Sequence, residues 1–516
     1  MAAAAVASQN LSTESFGMAG YVSVREFYAG KTLFITGCTG FVGKVLLEKI
    51  LRSCTEVRAI YVLGRAKRGQ TLEQRFSEIF KSALFNKLQK DSPQVFTKVK
   101  YVDGDMLMDN LGLNDGDLSE LQEHVNVVVH SAASVRFDAP LRDAVSMNLC
   151  GTKKLLDIAR SFRRLEVFVH VSTCYANCDN DVVEERIYDS KYESARIMEM
   201  VEWLDDDAID AVQDKLLAEK PNTYTFTKHL TEVMVQDYKK TVPFSITIVR
   251  PSIVVASMSE PFPGWVDNFN GPSGMICASA CGFLRSIYSD RQMRTDLIPV
   301  DVVAKTIIIA AWRAGVTKSQ EIEVYNCAIG DRAPSFTWGD FEGLQSDLAE
   351  KVIFDHAVRY PSLILRKNWT LHRASMLFEH YLPAYLWDKI LLILGKQPQF
   401  MKVYEKLNAM QSALTFFTTH QWTFRTDNLE RLSGYLSEQD RKEFNIDVSS
   451  LKWEEFLLDY VRGLRDFVLK ETHKQPSTRF QRLYLVQQLQ RVAVVFAVYK
   501  AFGVGEILSN AADAYF

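Results

Sequence analysis

The sequence predicts an α/β chain: a doubly wound parallel sheet followed by a mainly helical C-terminal part. Three observations carry that expectation. From Lys31 to about Gly330, short runs of Val, Ile and Leu alternate with stretches of helical periodicity. These runs do not alternate polar with apolar residues, which suits strands buried on both faces. Near Pro334 the strand rhythm fades, and helical patterns rich in aromatics and charge take over.

Taken in order, "KTLFIT" reads as a strand and "VGKVLLEKILRS" as a helix. "RAIYVLG" (58–64) is a strand, "TLEQRFSEIFKSALF" a helix, and "VKYVDGD" and "VNVVVHSAA" are strands. "LRDAVSMNLCGTKKLLDIARSF" is helical and "LEVFVHVST" a further strand. A helix near 223–240, the strand "FSITIVR" and a helix at 301–313 continue the series, which fades after "VYNCAIG" (324–330). Strands joined through helices imply right-handed crossovers and a parallel sheet. Beyond lie four expected helical stretches: "TWGDFEGLQSDLAEKV", "EHYLPAYLWDKILLILG", "SALTFFTTHQWTFRTDNLERL" and "WEEFLLDYVRGLRDFVLKE". The expected division is a disordered arm at 1–22, an α/β domain at 23–332, a helical domain at 333–475 and an apolar tail at 476–516.

At 516 residues the chain is too long for one ordinary core. A net charge of −3 argues against bulk nucleic-acid binding, which needs a concentrated basic surface. The eight cysteines form no CxxC pair, and no histidine follows at zinc-ligand spacing, so no metal site is expected. Buried or idle thiols are the expectation.

Chemistry begins at "LFITGCTGFVGK", where Gly37, Gly40 and Gly43 recur every third residue between a strand and a helix. A helix N-terminus there offers free N–H groups and a positive dipole end to a diphosphate. Gly37 permits the turn, Gly40 the close approach, and Gly43 the packing of helix on strand. This makes the expected sheet Rossmann-like. An acidic residue at the end of the second strand would bind a ribose 2′-hydroxyl; here the strand ends "VLGRAKR". Arg65, Lys67 and Arg68 stand where the acid would be, which predicts NADPH. Asp105 is a candidate acceptor for the adenine amine, or a turn former. Ala132 and Ala133 in "HSAAS" keep side chains small where the dinucleotide would pass.

"PNTYTFTKHLTE" places Tyr224 and Lys228 four apart, on one helix face. An ammonium beside a phenol favours the phenolate and lowers its pKa, so tyrosine becomes a usable acid or base. A hydroxyl at the end of the preceding strand, Thr173 or Ser172 in "VHVSTCY", is expected to hydrogen-bond a reacting carbonyl oxygen. Cys174 and Cys178 lie nearby, and a thioester nucleophile there is the minor alternative.

"TGCTGFVG", "VSTCYAN", "YTFTK" and "VRPSIV" resemble an extended short-chain dehydrogenase/reductase. More narrowly, the chain is similar to the alcohol-forming fatty acyl-CoA reductases over about 23–475, through "AASVRFDAPLRDAVSMN", "LIPVDVV", "FNIDVSSLKWEEF" and above all "PFPGWVDNFNGPSG". The resemblance implies Tyr224 and Lys228 as catalytic residues, Thr173 as their hydroxyl partner, and Ser172 as the second choice. It implies an NADPH seat of Thr36, Gly37, Thr39, Gly40, Phe41, Val42, Gly43, Arg65 and Arg68. Asp105, Ala132, Ala133, Pro251 and Ile253 complete that seat, together with Tyr224 and Lys228. The implied reaction takes a long-chain acyl-CoA and two NADPH through an aldehyde to a primary alcohol for ether lipids or wax esters. An aldehyde-forming reductase, another enzyme of the superfamily, and a non-catalytic NADP-binding scaffold are the alternatives.

The stretch "LYLVQQLQRVAVVFAVYKAFGVGEIL" (483–508) is apolar but broken by Arg491, Lys500 and Glu506. It fits a helix lying in a membrane interface better than one spanning it. "LILRKNWTLHR" (363–373) is a second candidate contact. With the family likeness, this gives the expectation of a peroxisomal membrane, or alternatively the endoplasmic reticulum, with the catalytic domain facing cytosol. Oligomeric state is left open.

Overall fold

The computed structural model describes residues 20–67, 69–471, 481–489 and 492. Seven strands form one parallel sheet: β1 Thr32–Thr36, β2 Ala59–Gly64, β3 Val99–Asp103, β4 Val125–His130, β5 Val167–Val171, β6 Ser245–Pro251 and β7 Glu323–Cys327. Their spatial order is β3-β2-β1-β4-β5-β6-β7. This is the doubly wound order with a seventh strand added, and the winding reverses between β1 and β4. Register aligns Thr36 with His130, His130 with His170, and Val171 with Val249. Every strand therefore ends on the same edge, and neighbouring ends lie about 5 Å apart.

Apolar cores cover both faces of the sheet. On one side α1 (Phe41–Ser53) packs against α4 (Val300–Thr317). On the other lie α2 (Gly151–Ala159) and α3 (Thr223–Lys239). The helix expected over 141–162 has a wide π turn, Val145–Cys150, at its centre.

Across the sheet edge, α3 is tied to β6 by a fully buried ion pair. Arg250 Nε donates to Glu232 Oε1 at 2.8 Å and Nη2 to Oε2 at 2.6 Å. The remaining guanidinium donors reach the carbonyls of Glu184 (3.0 Å) and Arg186 (2.7 Å). Burial and the Arg250 charge pull Glu232 in opposite directions; its carboxyl ends below its usual range.

The helical part packs onto the sheet domain, and one apolar cluster runs from Val24 to Leu464. It contains α5 (Trp338–Lys351), a continuous helix α6 over 369–393, α7 (Phe400–Thr419) and α8 (Trp453–Gly463). Short parallel pairs, Ser286–Tyr288 with Ile364–Arg366 and Val182–Val183 with Thr423–Phe424, stitch it to the first part. The stretch "SALTFFTTHQWTFRTDNLERL" is thus not one helix: α7 stops at Thr419, and helix resumes at Asp427–Gly434. The interruption has a tertiary cause. Thr418 Oγ1 donates to the Tyr288 carbonyl and Trp422 Nε1 to that of Cys178, both interactions no local pattern encodes.

At the N-terminus, residues 1–19 lie outside the described residues, but Tyr21 and the backbone of Val22, expected in the arm, are hydrogen-bonded to the folded part. Tyr21 donates to Asp440 Oδ2 at 2.7 Å, and Trp312 Nε1 donates to the Val22 carbonyl.

Replacing Arg250 with Met strands the Glu232 carboxylate in the core. The expected cost is about 3–5 kcal/mol, read as a lower midpoint in chemical denaturation. An unchanged midpoint would remove this pair from the account of stability.

Candidate active site

The turn after β1 has the steric character its glycines require. Gly37 has φ +81°, and a Cβ there would stand 2.7 Å from the Ala132 amide nitrogen. A Cβ on Gly43 would meet the Gly37 carbonyl at 2.3 Å, so α1 lies against the turn itself. Gly40 is the exposed N-cap of α1 and supplies no side-chain cap. The first-turn amides of Phe41, Val42 and Gly43 are left without a capping side chain, in the arrangement that takes an anionic group. The turn therefore fits a dinucleotide diphosphate. Thr39, Phe41, Val42, Ala132 and Ala133 are half-buried around it.

Thr36 does a different job from the one expected. It is fully buried; its hydroxyl meets His130 Nδ1 at 2.8 Å and accepts from the Ala132 amide at 3.2 Å. It anchors the loop after β4 and has no surface for a ligand.

At the tips of β2 and β3, Arg65 and Asp105 face each other, with Arg65 Nη1 donating to Asp105 Oδ2 at 2.6 Å. The two residues expected to read separate parts of the nucleotide thus form one unit. Asp105 steadies a guanidinium that stays 59% exposed and free to meet a phosphate. Arg68 lies outside the described residues.

Thr173 follows β5, and its hydroxyl lies beside the Tyr224 phenol, near enough to hold the phenol's pKa down. Thr173 Oγ1 also donates to the Pro251 carbonyl at 3.3 Å and accepts from the Tyr175 amide. Ser172 turns the other way, toward Glu232. That contact is too loose for good hydrogen-bond geometry and leaves Ser172 Oγ unpartnered. The choice between the two hydroxyls thus falls on Thr173. Pro251 contributes a carbonyl to this group, and Ile253 packs half-buried behind it.

Tyr224 is half-buried. Burial pushes the phenol up to about 12, while the Thr173 hydroxyl pulls it back. The expectation of a phenol lowered by Lys228 is therefore corrected: burial is the largest influence, and what opposes it is the Thr173 hydroxyl, not the ammonium. Lys228 Nζ donates instead to the Val171 carbonyl at 2.8 Å. Burial brings Lys228 down to about 8, with Glu232 one turn on holding it up. Burial pushes His130 down to about 3 and holds His170 well below its usual value, so both rings are neutral near pH 7.

Cys174 and Cys178 do not supply a nucleophile. Cys174 Sγ donates to the Arg250 carbonyl, and burial drives it well above its ordinary value; Cys178 is pushed up to about 12. A thiol so protonated does not attack a thioester at neutral pH.

Three groups escaped sequence reasoning. Asn148, in the π turn, accepts from the Ser134 amide at 2.8 Å and donates to Thr227 Oγ1 at 3.0 Å. It fastens the loop after β4 to α3; its only signal was an Asn inside an apolar helix. Phe137 and Phe417 pack 5.2 Å apart, and Phe137 lies 5.8 Å from the Tyr224 ring. Phe417 comes from α7, so the helical part walls the site. The third is the role of "PFPGWVDNFNGPSG". Trp265 stacks on Phe41 at 5.4 Å, Asp267 pairs with Lys44, and Gly264, at φ +79°, would strike the Asp459 carbonyl with any Cβ. This loop joins the glycine turn to α8.

Fold and site together define an NADP-dependent reductase of the extended short-chain dehydrogenase/reductase type. Two family models, each described as male sterility protein, match residues 35–307 and 379–471. The chain is 40% identical over 450 residues to mouse (Mus musculus) fatty acyl-CoA reductase 1, covering 87% of each. It is 40% identical to bovine (Bos taurus) fatty acyl-CoA reductase 2, covering 87% of this chain and 86% of that one. The chain belongs to the fatty acyl-CoA reductase family. Among solved structures, the terminal R domain of the myxalamid PKS-NRPS pathway shares the fold, with a TM-score of 0.56, 18% identity and coverage of 84% and 90%.

Arg65→Ala is expected to raise the KM for NADPH about 10- to 100-fold, the loss of one charge-assisted contact, and to leave that for NADH nearly unchanged. Equal effects on both would remove the 2′-phosphate role. Activity at saturating substrate should fall as pH rises through about 8, where Lys228 loses its proton; a profile flat well above that pH would show that its charge is not needed.

Proposed function

We propose that the chain reduces a long-chain acyl-CoA to the primary alcohol and free CoA, consuming two NADPH and two protons. The observation that carries this reading is the Tyr224–Thr173–Lys228 group on the same sheet edge as the glycine turn, two strands away. When bound, NADPH supplies the hydride. The Gly37–Gly43 turn and the first-turn amides of α1 would hold its diphosphate, and Arg65 its 2′-phosphate.

Tyr224 would donate to a thioester carbonyl oxygen as it gains negative charge, and the Thr173 hydroxyl beside it would join by releasing its long 3.3 Å bond to the Pro251 carbonyl. Tyr224, at about 12, remains protonated through the physiological range and acts as proton donor. Lys228, held by the Val171 carbonyl, contributes positive charge one turn along α3 from the phenol. With Cys174 and Cys178 inert, reduction needs no acyl-enzyme. The adduct loses CoA thiolate to give an aldehyde, and the same two hydroxyls then serve the aldehyde carbonyl. Phe137 and Phe417 offer apolar surface to the acyl chain, each buried methylene contributing about 0.8 kcal/mol.

Ether-lipid or wax-ester synthesis as the use of the alcohol, and the peroxisomal membrane as its site, are supported by the family likeness. Imaging the tagged full chain against peroxisomal and endoplasmic-reticulum markers tests the second.

Incubation with palmitoyl-CoA is expected to oxidise two NADPH per CoA released. One per CoA would mean that the aldehyde leaves, and none would end the reductase reading. Tyr224→Phe should lower kcat by at least about a hundredfold while NADPH binding, followed by its fluorescence, persists. Retained turnover in that variant would take the proton donor away from Tyr224.

A further inference from the structure

Helix α6 is built inside out. Over its second half the buried positions are Ala384 and Asp388. Leu386, Trp387, Ile390 and Leu394 face outward, Phe378 is 63% exposed, and Ile393 is 84% exposed. Between Trp369 and Leu394, twelve large apolar side chains are exposed. The buried carboxylate has a structural task. Asp388 accepts from the backbone amides of Gln399, Phe400 and Met401, each at 2.9 Å, and so caps α7 and fixes the hairpin. A charge inside and oil outside is the reverse of a helix that meets water, and a run of large exposed apolar side chains marks an interaction surface.

A second segment adds to the same surface. Leu485, Leu489 and Val492 are exposed, and Tyr484 packs 5.2 Å from Tyr360, near the start of the hairpin. Among the described residues no helix is long and apolar enough to cross a membrane. α6 itself carries Arg373, Glu379, Asp388 and Lys389.

Charge selects the occupant. From Ile364 to Lys406 there are seven Lys and Arg against three acids. Asp388 is turned inward to the cap and Glu379 toward Ser375, and of the seven bases Lys367 is paired with Asp290. Lys389, Lys396 and Lys402 are exposed beside the apolar face, and Lys389 lies over the Tyr385 ring. Trp and Tyr at the level of a basic rim, with leucines and isoleucines beyond, is the composition of a surface lying in a lipid interface.

We propose that the α6–α7 hairpin is a monotopic membrane dock: α6 lies in the plane of an anionic phospholipid surface, its outer face among the acyl chains. α7 then connects that surface to Phe417 in the wall of the active site. Only this last link rests on the acyl-CoA reading; the dock does not.

The test is flotation of the full chain with vesicles of phosphatidylcholine alone and mixed with phosphatidylserine. The wild-type chain is expected to float with the mixed vesicles and less with phosphatidylcholine. The full-length variant F378E/W387E/I393E should lose at least about tenfold in vesicle partitioning, with an unchanged melting temperature. Should that variant unfold, L386Q/I393Q takes its place, with the same loss expected in smaller measure. Charges placed in the tail, V494E/F496E, should leave flotation in place. The proposal falls if the hairpin variants float like wild type, if the tail variant alone abolishes binding, or if wild type ignores both vesicles. It falls equally if sedimentation shows a dimer that the hairpin variant dissolves without any vesicle binding. Failure of palmitoyl-CoA reduction alongside normal flotation would overturn the enzymatic reading and leave the dock standing.

Discussion

Glu232 and Arg250 meet with essentially no exposed surface between them, and the site is arranged around that contact. Glu232 lies one turn beyond Lys228 on α3, and Arg250 is the penultimate residue of β6. Two ionised groups taken out of water are tolerated only with good geometry and with their remaining donors satisfied. Here the guanidinium finds two carboxylate oxygens and two carbonyls. The pair fixes the depth and rotation of α3 against the sheet. That placement brings Lys228 to the Val171 carbonyl and the Tyr224 phenol to Thr173. The same carboxylate supports the charge on Lys228, so one buried contact serves both position and electrostatics.

The second constraint is steric. Gly37, Gly43 and Gly264 occur where backbone meets backbone, at distances no Cβ can share. The first two bring α1 down onto the strand ends and open its first-turn amides to an anion. The third lets the "PFPGW" loop cross α8, where Gly463 in turn meets the Gly264 carbonyl. Beside it, Lys49, itself buried, donates to Glu260 at 2.6 Å and to the Glu443 carbonyl at 2.8 Å. The glycine turn, the loop and the helical part are therefore one packed unit. This explains why a catalytic α/β domain carries a long helical companion: the companion closes the wall at Phe417.

Desolvation sets the protonation of the site. It raises the phenol, lowers the lysine and keeps His130 and His170 neutral. A phenol held protonated beside a polar hydroxyl is suited to giving a proton to an oxygen that gains charge. The thiols nearby are held equally protonated, which leaves direct reduction as the chemistry the site favours.

Much of this was legible in the sequence because it is local. Strand–helix alternation, the Gly37–Gly40–Gly43 spacing and the four-residue step from Tyr224 to Lys228 follow from backbone periodicity. Backbone periodicity is a property of neighbouring residues. The parallel sheet then brings the strand ends together whatever the loops do, so Gly37, Ala132 and Thr173 converge. Other features depend on partners far along the chain, and only the folded structure decided them. Ser172 and Thr173 are adjacent hydroxyls, and the alternation of side chains across the strand end sends one to Glu232 and the other to Tyr224. Thr36 is taken up by His130, Arg65 by Asp105, and the helix after Phe417 is broken by contacts with Tyr288 and Cys178. The sign of the Tyr224 shift belongs to the same group: sequence spacing puts a lysine on the same helix face, but burial, which only packing creates, sets the phenol.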